Sequence, residues 1–232
     1  MGRLLALTAA LIAAALIAWF GEQAPKPVPA TAQAGMFSAE RAMADVRAIA
    51  AVPHPLGSKA NQAVRDRLVA RMAALGLSPE VHPGVGVFYR PNGKSPVIGG
   101  GRVENIIGVL PGRDRMAPAV ALMAHYDSVP GSPGAADDAA GVASALEIVR
   151  ALKTYGVPAR DVVVLLTDGE EDGLLGADAF FNRDAAAKHI GFIFNMEARG
   201  TAGRVQMFQT GAGMARRSTC FGAPRPIPTP HR

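Results

Sequence analysis

The chain of 232 residues has a single cysteine, Cys220. A disulfide framework within the chain is therefore excluded, as is a zinc site built from thiolates. Basic runs are missing too. The 24 Lys and Arg outnumber the 19 Asp and Glu and leave a net charge of +5. They are scattered, however, and nowhere interleave with aromatics, which argues against a nucleic-acid partner. No internal repeat is visible. This length suits one domain with room for a small appendage. A hydrophobic content of 49% permits a real core, and 26 Gly with 18 Pro imply many turns.

Charge is absent from one long stretch, "LLALTAALIAAALIAWF" (residues 4–20), which also has only one hydroxyl, Thr8. A membrane-spanning helix needs about 17–25 apolar residues, and a signal-peptide core about 7–15. Residues 1–21 are thus expected to anchor the chain in a membrane, with Trp19 and Phe20 at the far interface. The rest is then expected on the extracytoplasmic side, periplasmic or lumenal, with Arg3 favouring a cytoplasmic N-terminus. The alternative is a signal cleaved at the small residues of "ATAQAG" (residues 30–35), giving a secreted chain. Residues 22–37 are rich in Pro and Ala, lack periodicity and read as a linker.

Folded structure is expected over residues 38–213. Ser38 can cap a helix bearing Met43, Val46 and Ile49, and Ser58 a second bearing Val64, Leu68 and Met72. A third helix is expected over residues 139–155, with Val142, Leu146, Val149 and Leu152 at helical spacing. Candidate strands cover residues 103–110, 120–124, 162–167, 192–196 and 204–209. Continuous apolar strands alternating with helices argue for an α/β sheet covered on both faces. The expected architecture is a three-layer αβα sandwich with a mostly parallel central sheet.

Three of these strands end in side chains that can bind metal. "AVALMAHYD" runs into His125 and Asp127, "VVVLLTDGEE" into Glu170 and Glu171, and "GFIFNMEARG" into Glu197. Open α/β sheets place ligands at those C-terminal ends. "GAADDAAG" adds Asp137 and Asp138 ahead of the third helix. One Asp suffices for an N-cap, which leaves a carboxylate to spare. His125, Asp137, Glu171 and Glu197 make a mixed nitrogen and oxygen donor set, which suits zinc better than calcium. Four candidates fit either one crowded zinc or two zincs sharing a carboxylate. Without cations, so many carboxylates would repel one another and resist ionisation. Asp127 is spaced to accept the second imidazole N–H of His125.

"HYD", "ADDAAG", "DGEEDGLLG" and "NME", in that order, resemble the dizinc aminopeptidases of family 28 of the metallopeptidases. The resemblance covers roughly residues 38–210, and "HPLGS…N…VR" (from His54 to Arg65) is similar to its membrane-anchored endoplasmic reticulum branch. It implies a phosphorylase/hydrolase-like zinc exopeptidase fold and two zinc ions. His125 would bind one zinc, Asp137 would bridge both through a carboxylate whose bond to Asp138 is cis, and Glu171 would bind the other. Glu197 would complete the first site, where many members carry Asp. Asp127 would orient His125, and Glu170 would be the general base for a metal-activated water. The implied substrate is the N-terminus of a peptide or protein.

The family's last ligand, a histidine downstream, has no counterpart. From Met214 the chain becomes "MARRSTCFGAPRPIPTPHR", rich in Pro and Arg and without apolar periodicity. Residues 214–232 read as an aberrant tail, the fold as incomplete at its C-terminus and the second zinc as weakly held. His231 stands in a proline-rich setting that suits a ligand poorly. Deacylases with related motifs place the bridging Asp much further from the first His. Glutaminyl cyclases share the fold and the "HYDS" segment (residues 125–128) but interrupt the "GEE" region differently. A non-catalytic membrane-anchored ectodomain would have no use for both Glu170 and Glu171.

Overall fold

The computed structural model describes residues 2–91, 96–198 and Gly211. Helix α1 (Gly2–Gly21) is long and apolar enough to cross a membrane and buries none of its side chains. It belongs to a unit separate from residues 27–198. That second unit holds α2 (Ala39–Ile49), α3 (Lys59–Ala74), β1 (Glu80–Arg90), β2 (Val97–Leu110), β3 (Ala119–His125), α4 (Ala140–Leu152), β4 (Val162–Thr167), α5 (Leu175–Arg183) and β5 (Ile190–Asn195).

The helices begin where their caps allow. Ser38 Oγ accepts the N–H of Arg41 at 3.2 Å and Ser58 Oγ that of Asn61 at 3.0 Å, each satisfying one donor that the first turn leaves free. Val64, Leu68 and Met72 are buried along α3; on α2, Ala42 joins Val46 and Ile49 in the core while Met43 points outward.

The sheet runs β1-β2-β4-β3-β5. β3 is parallel to both β4 and β5, whereas β1–β2 and β2–β4 are antiparallel. Every residue of β4 is buried. Val162, Val164 and Leu166 pack towards α2, α3 and α4, and Val163 and Leu165 towards Phe180 of α5. Helices thus cover both faces, which explains why β4 is apolar throughout rather than alternating. β1 and the first half of β2 had no place among the expected strands. Only residues 106–110 of β2 pair with β4, so residues 97–105 and their partners 82–90 in β1 overhang the C-terminal end of β4 as a hairpin. The candidate strand 204–209, Cys220 and His231 lie outside the described residues.

Residues 28–37, expected as a tether, lie along α2 and α4. Arg41 donates to the carbonyls of Ala30, Ala32 and Met36, and Arg150 to those of Ala34 and Met36. Both arginines pair with buried Glu147, which also accepts the Ser38 N–H at 3.0 Å. Burial opposes the charge on Glu147, but these partners outweigh it and hold its carboxyl below the usual range.

Candidate metal centre

The parallel strands β3, β4 and β5 deliver four of the side chains. His125 is the last residue of β3, Glu170 and Glu171 follow β4, and Glu197 follows β5. Asp137 arrives from the turn before α4, where its peptide bond to Asp138 is cis. His125 Nε2 lies 2.9 Å from Asp137 Oδ1 and 3.8 Å from Glu197 Oε1. One donor atom each from His125, Asp137 and Glu171 lie within 4.8 Å of one another. Glu170, Glu197 and His125 line one cavity of about 30 Å³, enough for a water molecule. All six residues singled out in the sequence, Asp127 included, meet at this end of the sheet.

The adjacent acids divide their work. Asp138 is buried, accepting the N–H of Gly141 at 3.0 Å and that of His125 at 3.3 Å. Its carboxylate thus takes a first-turn N–H of α4, and Asp137 is the carboxylate left over. Burial pushes the Asp138 carboxyl up to about 8.

Asp127 does more than its spacing suggests. Its carbonyl oxygen lies 3.1 Å from His125 Nδ1, with its Oδ1 at 3.3 Å. The same carboxylate accepts the backbone N–H groups of Glu170 at 3.0 Å and Glu171 at 3.2 Å. One buried residue thus fixes the imidazole, through its carbonyl oxygen and carboxylate, and, through the carboxylate, the loop that carries both glutamates.

A second group ties the site to the rest of the fold. Asp168 accepts from Asn61 Nδ2 and from the N–H of Glu104, both at 3.1 Å. Burial pushes its carboxyl up to about 6. Arg65 pairs with Glu104, so Asn61 and Arg65 of "HPLGS…N…VR" fall directly behind the site. His54 and Ser128 add mutual backbone contacts, with the His54 N–H on Ser128 Oγ at 2.9 Å and the Ser128 N–H on the His54 carbonyl at 3.3 Å. Asn105 of β2, which accepts the N–H of Asp168 at 3.1 Å, and Asp168 itself are hinted at in the sequence only as polar residues inside or just beyond apolar strands.

The electrostatics favour a cation. Burial raises Glu170, Glu171 and Glu197, and neighbouring carboxylates push in the same direction. Burial would lower His125, but the hydrogen bond and charge of Asp127, with the charge of Asp138, carry it to about 10. Among the described residues, the ion pairs of Asp137 and Glu197 run to His125 and not to Lys or Arg. A convergent imidazole and carboxylates without a Lys or Arg partner fit a divalent zinc-like ion by donor type.

Beside the loop, the overhanging hairpin walls an open groove of about 550 Å³. Leu56, Phe88, Gly99, Gly101 and Leu175 line it, and Glu171 stands at its edge.

The model of peptidase family M28 matches residues 105–221. A vacuolar membrane protease from Candida dubliniensis is 36% identical over 169 residues, 71% of this chain and 18% of that protein. The chain thus spans about a fifth of the length of the curated relatives it matches. A zinc aminopeptidase from Bacillus subtilis superposes with a TM-score of 0.59 at 18% identity, covering 73% of this chain and 71% of its own. A glutaminyl cyclase from an Acidobacteriales bacterium gives 0.54 at 18% identity, covering 75% and 62%. At these identities the two structures speak for the fold alone.

Proposed function

Because the chain belongs to peptidase family M28, we propose that it carries the centre of a zinc-dependent exopeptidase of the aminopeptidase type. The observation that carries this reading is the convergence of His125, Asp137 and Glu171 donor atoms within 4.8 Å. His125, Asp137 and Glu197 would hold one zinc, and Asp137 with Glu171 would contribute to a second. Zinc bound there would polarise the scissile carbonyl and make a water easier to deprotonate.

The remaining work falls to the chain itself. Glu170 takes the proton from the attacking water and returns it to the leaving amine. Its half-buried, acid-rich surroundings raise its proton affinity, which suits a group that must hold a proton between the two transfers. Asp127 keeps His125 Nε2 facing Asp137 and holds Glu170 in place through its backbone. The surrounding carboxylates attract the substrate's free amino group, and the groove beside Glu171 gives room for a substrate residue.

We further read α1 as a single membrane span with the domain on the extracytoplasmic side, in keeping with the membrane location in the relative's name. Zinc content by mass spectrometry and hydrolysis of aminoacyl-p-nitroanilides test the chemistry. Zinc binding with release of the N-terminal residue supports the proposal. Cyclisation of a peptide beginning with Gln, without hydrolysis, would replace it. Protease protection in sealed vesicles tests the orientation.

A further inference from the structure

The loop from Asp168 to Gly176 holds both glutamates of the centre, and a single buried amide bridges its two ends. Asn105, in β2, is 2% exposed. Its Oδ1 accepts the N–H of Asp168 at 3.1 Å, and its Nδ2 donates to the carbonyl of Gly176 at 2.9 Å. The loop leaves β4 and enters α5 across this one side chain.

The space around the amide is filled. A Cβ at Gly176 would stand 2.5 Å from Asn105 Oδ1 and 2.4 Å from the Asp168 carbonyl oxygen, so only glycine lets the backbone come this close. Between the clamped ends the chain reverses through Gly169, whose φ is +68°, a conformation glycine adopts freely. Leu175 N–H donates to the Gly169 carbonyl at 3.0 Å, and Leu174 N–H to that of Glu170 at 2.8 Å. Glu170 and Glu171 therefore sit at the tip of a short closed loop with its base fixed.

We propose that Asn105 is a positioning residue for the metal centre, closing the loop 168–176 so that Glu171 faces Asp137 and His125 and Glu170 faces the cavity. This inference rests on the metallopeptidase reading for its consequence, although the clamp itself does not. The amide is suited to the task because it accepts at one end and donates at the other. Aspartate can only accept, and leucine of similar shape does neither. Unpairing the Gly176 carbonyl and the Asp168 N–H in a buried place is costly, so the loop relieves it by opening. Groups that orient metal ligands commonly change metal affinity by about 10–100-fold when altered.

The test uses the full chain in detergent micelles, stripped of metal and titrated with zinc against a chromophoric chelator, alongside amide hydrogen exchange. Asn105→Leu is expected to weaken zinc binding by about 10–100-fold and to speed exchange locally over residues 168–176. Asn105→Asp is expected to fall between it and the wild type, and it carries the test if the leucine variant does not fold. Wild-type zinc affinity and loop exchange in a folded variant would overturn the proposal. So would exchange that rises evenly across the sheet, since that would make Asn105 a stabilising residue only. If the wild type itself takes no zinc, the zinc reading fails, while loop exchange in the variants still decides the clamp.

Discussion

At the entry to β4, Asp161 lies buried beside His189, Arg115 and the N–H of Gly112. At the exit of the same strand, Glu170 and Glu171 share a cluster with His125, Asp137 and Glu197. Both ends combine imidazole with carboxylate, yet their acids move in opposite directions. Burial opposes the charge of Asp161, but the Gly112 N–H, His189 and Arg115 outweigh it and hold its carboxyl below the usual range. At the exit, burial pushes Glu170, Glu171 and Glu197 up, and neighbouring carboxylates add to it against the opposing pull of His125. A His beside a carboxylate therefore says little about metal. Among the described residues, what separates the two ends is that an arginine pairs with Asp161, whereas the exit acids face one another around His125.

The sharpest way to test that contrast is Glu170→Gln. Hydrolysis should fall by about 10²–10⁴-fold with zinc content unchanged, because the amide cannot move the proton. Asp161→Asn, at the opposite end, should leave the rate per folded molecule intact. Comparable losses in both variants would erase the distinction.

Removing the metal comes next. His125→Ala should lower zinc affinity by at least about tenfold, and chelation of the wild type should abolish hydrolysis until zinc is restored. Asp161→Ala should retain zinc affinity but destabilise the fold by roughly 1–3 kcal/mol in urea denaturation, since it unpairs the Gly112 N–H and Arg115.

The smallest effect concerns pH. The folded-state proton affinity of Asp161 is depressed. Its contribution to stability is therefore present above the unfolded carboxyl value of about 3.9 and lost as the pH falls through the lower folded value. Between neutral pH and that acid range, Asp161→Asn should lose less stability than the wild type.

Much of this was legible in the sequence because burial writes itself into composition. β4 is apolar in every position because both its faces are covered, and α3 announces itself by a serine cap and apolar residues four apart. Most of the candidate ligands stood out as polar groups ending apolar strands. The hairpin was hidden for the opposite reason. β1 has Pro83, Gly84 and Gly86, and β2 opens with Gly99, Gly100 and Gly101, so both read as loop although long-range pairing makes them strands. α5 has nine residues, too few for a clear helical period. Residues 28–37 look like a tether because what holds them is their own backbone carbonyls, which no side-chain pattern reports. Asn105 and the second duty of Asp127 depend on chain crossings that sequence spacing does not encode.

That second duty of Asp127 makes the centre behave as one thermodynamic unit. A single carboxylate serves β3 through His125 and the exit of β4 through the backbone of Glu170 and Glu171. Candidate ligands from different strands share this contact, and a double-mutant cycle between Asp127→Asn and His125→Ala should be strongly non-additive. Once the imidazole is gone, the part of the Asp127 effect that passes through it has already been lost, and what remains measures the hold on the loop alone.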